Sequence, residues 1–95
     1  MIDDELMSEF RELVNDCFDH KDDGFHFWIP VDDNWITGEV TGEDNGDLYV
    51  VIYLTERIDH LGYPLGEVLK DAYVDLDEDP PKDTELNHIL EHLLN

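Results

Sequence analysis

Basic residues are scarce in this sequence. Lysine and arginine together number five, against 26 aspartates and glutamates, so the 95-residue chain carries a formal net charge of −21 at neutral pH. Proteins hold nucleic acids and phosphorylated substrates with clusters of Lys and Arg, which this chain cannot supply. We therefore exclude direct nucleic-acid binding. We expect a basic protein as partner, because so large an imbalance destabilises a free domain by self-repulsion.

Cysteine and long apolar runs are equally scarce. With Cys17 as its only cysteine, the chain forms no internal disulfide. The start, Met1-Ile2-Asp3-Asp4, lacks the basic region and apolar stretch of a signal peptide. No apolar run approaches the length of a membrane span. These absences predict a cytoplasmic location and no membrane partner.

Residues suited to catalysis are also few. The single serine, Ser8, lies in a predicted helix rather than at the strand-to-helix turn that exposes a serine nucleophile. Cys17 falls on the apolar face of the same helix, which is typical of a core residue. His88, Glu91 and His92 match the H-x-x-E-H spacing of inverted zinc peptidases, but so small a chain lacks a third ligand and a cleft. We predict no enzyme activity, no cofactor and no metal site.

What the chain has in quantity is regularly spaced apolar residues. It is 41% hydrophobic and contains two Trp, four Tyr and four Phe, which is too apolar for the disordered acidic class of proteins. We predict a single acidic globular domain over residues 1–95. Its class should be α+β, because apolar spacings of three and four and alternating spacings occur in separate segments.

The predicted architecture is an N-terminal helix, a three-stranded antiparallel meander, and one short and one C-terminal helix packed on the sheet. Short turns join the strands, which excludes the long crossovers of a parallel sheet. An Asn45-Gly46 pair marks the last hairpin. The predicted elements are a helix over 2–19, strands over 25–31, 35–42 and 47–55, a short helix over 64–73, and a final helix capped by Asp83 or Thr84.

The first helix carries a row of carboxylates on its polar side. Its acids recur at spacings of four and three, which stacks about one per 5.4 Å turn. An ordinary solvated face is the alternative interpretation, but such faces mix Lys with Glu, whereas here only Arg11 interrupts the acids. We predict a partner-binding site, the α1 stripe, formed by Glu5, Glu9, Glu12, Asp16 and Asp19.

A second acidic cluster precedes two prolines late in the chain. It begins like a calcium loop, but Pro80 and Leu86 occupy the positions at which an EF-hand needs glycine and glutamate. An ordinary acidic loop is the alternative to a binding role. The predicted partner-binding residues of this loop are Asp75, Asp77, Glu78 and Asp79.

One face of the predicted sheet is aliphatic and the other is aromatic. The aliphatic face would pack on the first helix, whereas the aromatic face is too apolar to leave bare on a monomer. Either the C-terminal segments or a partner should cover it, so the chain is predicted to be a monomer or a homodimer through this aromatic sheet face. The candidate anchors are Trp28, Trp35, Tyr49 and Tyr53.

The composition resembles, at the level of a class, phage and plasmid proteins that imitate nucleic acid. This resemblance implies a non-catalytic inhibitor of a DNA- or RNA-binding protein, as in anti-restriction or anti-CRISPR counter-defence. An immunity or antitoxin protein that neutralises a basic nuclease toxin is the alternative. An acidic adaptor and a halophilic small domain stay open, although halophilic chains are rich in alanine, valine and threonine and this one has a single alanine, Ala72.

Overall fold

Two helices and a four-stranded antiparallel sheet form the chain in the computed structural model, which describes residues 3–76 and 79–95. The predicted α+β class is therefore confirmed. The elements are α1 (Asp4–Asp19), β1 (His26–Val31), β2 (Asn34–Gly42), β3 (Leu48–Thr55), β4 (Val68–Asp75) and α2 (Asp83–Leu94).

Helix α1 ends at Asp19 as predicted, but it begins at Asp4 rather than at residue 2, with Asp3 as its N-cap. The Asp3 carboxylate accepts a hydrogen bond from the Leu6 backbone N–H at 2.7 Å, which satisfies one of the free donors of the first turn. The helix buries Phe10, Val14 and Cys17 completely. Its apolar stripe therefore lies against the core, as the three-and-four spacing predicted.

The sheet has the strand order β1-β2-β3-β4, so each strand pairs with its neighbour in sequence. The three predicted strands are present within one or two residues of their predicted ends. At the β2–β3 hairpin, Gly46 has a φ of +92° and its N–H donates to the Glu43 carbonyl at 2.9 Å. Glycine adopts this conformation without steric cost, which explains why the Asn45-Gly46 pair marked the turn correctly.

The short helix predicted over residues 64–73 is wrong, because this segment leads into a fourth strand. Leu65 and Leu69, which a helix with this spacing would turn inward, are 47% and 44% exposed. Burial along β4 alternates in period two, and pairing with β3 satisfies backbone groups that an isolated short helix would leave free. The segment therefore forms a strand, because its pairing with β3 in the folded chain outweighs the local helical spacing.

Both helices pack on the same face of the sheet. Phe10 and Val14 of α1 and Leu86 and Leu90 of α2 share one buried cluster with the inward side chains of the strands, such as Ile52. Strand residues consequently alternate between buried and more exposed positions. The chain is a two-layer structure whose second sheet face carries no helix in the described residues.

Helix α2 joins the layer through apolar contacts and one ion pair. Leu86, Leu90 and Leu93 are buried, and the Arg11 guanidinium lies 3.8 Å from the Asp83 carboxylate. Lys82 occupies the N-cap position, so the predicted cap at Asp83 or Thr84 is wrong. In the parts of the chain that the structure describes, neither helix has the length and apolar character to cross a membrane.

Candidate functional site

The acidic residues lie at the surface. Of the 24 aspartates and glutamates that the structure describes, 21 are exposed, and Asp16, Glu39 and Asp59 are half-buried. The chain has five Lys and Arg for 26 carboxylates, which is too few to neutralise them one for one. The scaffold therefore presents most of its negative charge to solvent.

The α1 stripe lies on the side of α1 that faces away from the sheet. Glu5, Glu9, Glu12 and Asp19 are exposed and Asp16 is half-buried, whereas the opposite side of the helix is buried in the core. From the first carboxylate to the last, the row spans about 21 Å of helix at 1.5 Å per residue. Packing of the opposite side of α1 against the sheet thus leaves the five carboxylates in one row along the helix.

The second acidic cluster is divided by the limits of the described residues. Asp77 and Glu78 lie outside them, whereas Asp75 and Asp79 are exposed and line an open groove of ≈ 870 Å³. Lys21 also lines this groove and donates from Nζ to the Leu76 carbonyl at 3.2 Å. The carboxylates that surround the groove are Asp22, Asp47, Asp75, Asp79 and Glu85.

The four predicted aromatic anchors lie together on the sheet face that carries no helix. We call this the outer face; strand pairing places on it His26, Trp28, Trp35, Thr37, Glu39, Tyr49, Val51, Tyr53, Asp71 and Tyr73. Trp28, Thr37, Tyr53 and Asp71 form one row across the four strands, since residues directly opposite each other share a face. The α1 stripe and the outer face are therefore on opposite sides of the molecule.

The segment 56–67 covers one corner of the outer face. The Tyr63 ring stacks on His26 with centroids 4.3 Å apart and planes 3° apart. Gly62, with a φ of +89°, lies so close to the Trp28 indole that a Cβ atom there would overlap the ring. Trp28 is still 47% exposed, and Tyr73 at the uncovered end is 58% exposed. The sequence left open whether the C-terminal segments or a partner cover this face. Segment 56–67 covers the β1 corner, and that question is resolved for this corner only.

A turn centred on Asp59 holds this segment in shape. The Asp59 carboxylate accepts hydrogen bonds from the backbone N–H groups of Leu61 at 2.9 Å and Tyr63 at 3.0 Å. The Tyr63 hydrogen bond lowers the pKa of Asp59 below its usual value, and the Leu61 and Gly62 backbone groups add to this. Asp59 therefore stabilises the turn in its ionised form.

We predict that Asp59→Ala releases the segment from Trp28, whereas Asp59→Asn retains it. Alanine removes the Oδ1 atom that accepts both hydrogen bonds, whereas asparagine keeps one side-chain oxygen. In a Trp35→Phe background, Trp28 fluorescence should shift to longer wavelength in the alanine variant at pH 7. Because the folded pKa is lowered, the contribution of Asp59 is present above about pH 4 and is lost on further acidification. The asparagine variant should lack this acid transition; identical emission from all three proteins would contradict the assignment.

The described residues offer no centre for nucleophilic or metal chemistry. Burial raises the pKa of the Cys17 thiol to about 12, and the charge of Asp16 raises it further. A thiol with this pKa is protonated at neutral pH and is a poor nucleophile. No group of three or more His, Cys, Asp or Glu residues within 3–76 and 79–95 is arranged to hold a metal ion, and His88, Glu91 and His92 are exposed.

Sequence reasoning missed Tyr73 and Asp71 on the outer face. Both lie in β4, and the assignment of this segment to a helix hid their alternation with Ala72 and Val74. The aromatic rings of Tyr49 and Tyr73 lie 5.7 Å apart at 58°. The period-two pattern of β4 was the signal that could have found them.

Comparisons of the chain with protein-family models, with curated proteins and with solved structures find no match. Function is therefore inferred from the surface of this chain.

Proposed function

We propose that this chain is a non-catalytic inhibitor that mimics nucleic-acid phosphates and occupies the binding surface of a DNA- or RNA-binding protein. The observation that carries the proposal is charge per length. The Cα atoms extend 35 Å along the longest axis, and that length of duplex DNA carries about 21 phosphates at one per 1.7 Å. The formal net charge of the chain is −21. A counter-defence protein directed against restriction or CRISPR enzymes fits this role.

The placement of the acids supports the same proposal. Exposed carboxylates occupy α1 on one side of the molecule, Asp71 and Asp75 on β4, and the turns between strands. A nucleic-acid channel encloses its ligand with Lys and Arg on several sides, and a protein charged on several sides suits such a channel. The electrostatic attraction should raise the association rate roughly ten- to a thousandfold at low salt.

One observation favours the alternative role of an immunity or antitoxin protein. The outer face exposes aromatic side chains, Trp28 and Tyr73 among them, and aromatic anchors dominate the binding energy of protein–protein interfaces. Phosphate imitation alone does not require them. A nuclease inhibitor would use such anchors together with the same acidic electrostatics.

The experiment that tests the proposal is affinity capture followed by competition. The immobilised chain is exposed to a bacterial lysate at low salt, and a column of polyglutamate serves as the control for unspecific retention. A nucleic-acid-binding protein retained only by the chain, eluted by salt and displaced by duplex DNA, is the expected result. If the chain retains only proteins that the polyglutamate column also retains, the proposal is overturned. A retained nuclease that the chain inhibits and that DNA fails to displace would establish the immunity role.

A further inference from the structure

The uncovered end of the outer face contains three tyrosines on neighbouring strands. We call Tyr49, Tyr53 and Tyr73 the tyrosine patch. Tyr49 and Tyr53 lie four positions apart on the same face of β3, and Tyr73 is directly opposite Val51, which lies between them. Tyr73 is 58% exposed, and its ring contacts that of Tyr49 at 5.7 Å. The patch therefore presents aromatic ring surface to a partner.

Carboxylates alternate with these rings. Asp71 is directly opposite Tyr53 and Asp75 is directly opposite Tyr49, while Glu39 lies on the adjoining strand opposite Val51. Burial raises the pKa of Tyr53, and the neighbouring Tyr73, Asp71, Tyr49 and Glu39 raise it further. Each acidic neighbour opposes the formation of negative charge on Tyr53, which places the patch in a negative potential. Within the four strands as described, no lysine or arginine lies on this face.

Aromatic faces alternating with carboxylates select one type of cation. The guanidinium of arginine stacks flat on a tyrosine ring and pairs with a carboxylate through two parallel hydrogen bonds, whereas the lysine ammonium is a strongly hydrated point charge. A second copy of this chain would place the same carboxylates opposite each other, with a net charge of −21 on each copy. Charge complementarity therefore favours a basic partner over a homodimer.

We infer that the tyrosine patch binds arginine side chains of the basic partner. This inference rests on the proposed function, since it assumes that the partner is basic, and it adds the surface and the residue type that are recognised. The α1 stripe on the opposite side supplies attraction with less distinction between arginine and lysine, because its members Glu5, Glu9, Glu12, Asp16 and Asp19 include no aromatic ring on which a guanidinium could stack.

The test uses deca-arginine and deca-lysine, two peptides of equal length and charge, titrated into the full chain by calorimetry at low salt. The wild type should bind deca-arginine roughly fivefold more tightly than deca-lysine. Tyr53→Leu/Tyr73→Leu keeps the charge and an apolar surface but removes two rings, so it should bind deca-arginine more weakly and deca-lysine as before, which narrows the preference for arginine. The single variant Tyr73→Leu, at an exposed position, serves if the double variant does not fold. The control, Glu9→Gln/Glu12→Gln, should weaken both peptides equally.

The outcomes separate this inference from the proposed function. Equal binding of both peptides by the wild type, or an arginine preference that is undiminished in the leucine variants, overturns the inference and leaves the proposed function standing. If neither peptide binds at low salt, both the inference and the proposed function are overturned. A wild-type dimer in sedimentation that Tyr73→Leu abolishes would assign the tyrosine patch to a second copy and also overturn the inference.

Discussion

Replacing the five carboxylates of the α1 stripe with amides should weaken binding to the basic partner and make the free protein more stable. Each exposed charge pair contributes about 0.2–1 kcal/mol, so the loss of five should cost about 1–5 kcal/mol of binding free energy, or roughly 5- to 5,000-fold in affinity. The slope of affinity against salt concentration should fall as well. The variant is Glu5→Gln/Glu9→Gln/Glu12→Gln/Asp16→Asn/Asp19→Asn, and calorimetry against the captured partner measures it.

The gain in stability follows from the spacing of the same residues. Successive members of the stripe are three or four positions apart, which makes four like-charge neighbour pairs on one helix face. Each such pair costs about 0.2–0.5 kcal/mol, so their removal should raise the free energy of unfolding by about 1–2 kcal/mol. Urea unfolding followed by circular dichroism measures this. An ordinary solvated face would show the gain in stability without the loss of binding.

A matched control separates the position of the charges from their number. Five exposed acids in turns can be changed to amides to give the same net charge of −16. Removing these five charges should weaken binding less than removing the five charges of the α1 stripe. If both variants lose affinity equally, total charge acts alone and the α1 stripe is not a distinct site. The control residues are Asp23, Asp32, Asp33, Glu43 and Asp44.

The parts of the fold that follow from local pattern could be predicted from the sequence. Helix α1 has its cap at Asp3 and its apolar spacing within one segment, and the β2–β3 hairpin has its turn signal at Asn45-Gly46. These local conformational preferences agree with the final structure because no contact between residues distant in sequence opposes them. The α1 stripe could be placed for the same reason, since the orientation of a helix face follows from its buried side.

The parts that depend on distant pairing could not be predicted in this way. Residues 68–75 have spacings that suit either a helix or a strand, and the free edge of β3 decides between them. That decision also determines the outer face, because it adds Tyr73 and Asp71 to the aromatics of β3. The cover on the β1 corner by Tyr63 depends on the Asp59 turn, whose contacts reach 37 positions back along the chain to His26.

Phe10→Ala should unfold the protein at low salt and allow it to refold at high salt. Phe10 of α1 is completely buried in the core. Truncation of a buried phenylalanine costs about 3–5 kcal/mol of stability. A domain of this size has about 5–14 kcal/mol of stability before self-repulsion is subtracted. At about 0.01 M salt the Debye length is about 30 Å, close to the 35 Å length of the molecule, so nearly all its carboxylates repel one another.

Raising the salt to about 1 M shortens the Debye length to about 3 Å, which is less than one turn of α1, and removes most of this repulsion. Circular dichroism of the Phe10→Ala variant in a sodium chloride series should therefore show a transition from unfolded to folded. Leu65→Ala is the control, since Leu65 is 47% exposed and its truncation should change stability by less than about 0.5 kcal/mol. If the Phe10→Ala variant is equally folded at both salt concentrations, self-repulsion is too weak to matter. Binding of a basic partner should refold it at low salt as the salt does, because both neutralise the same carboxylates.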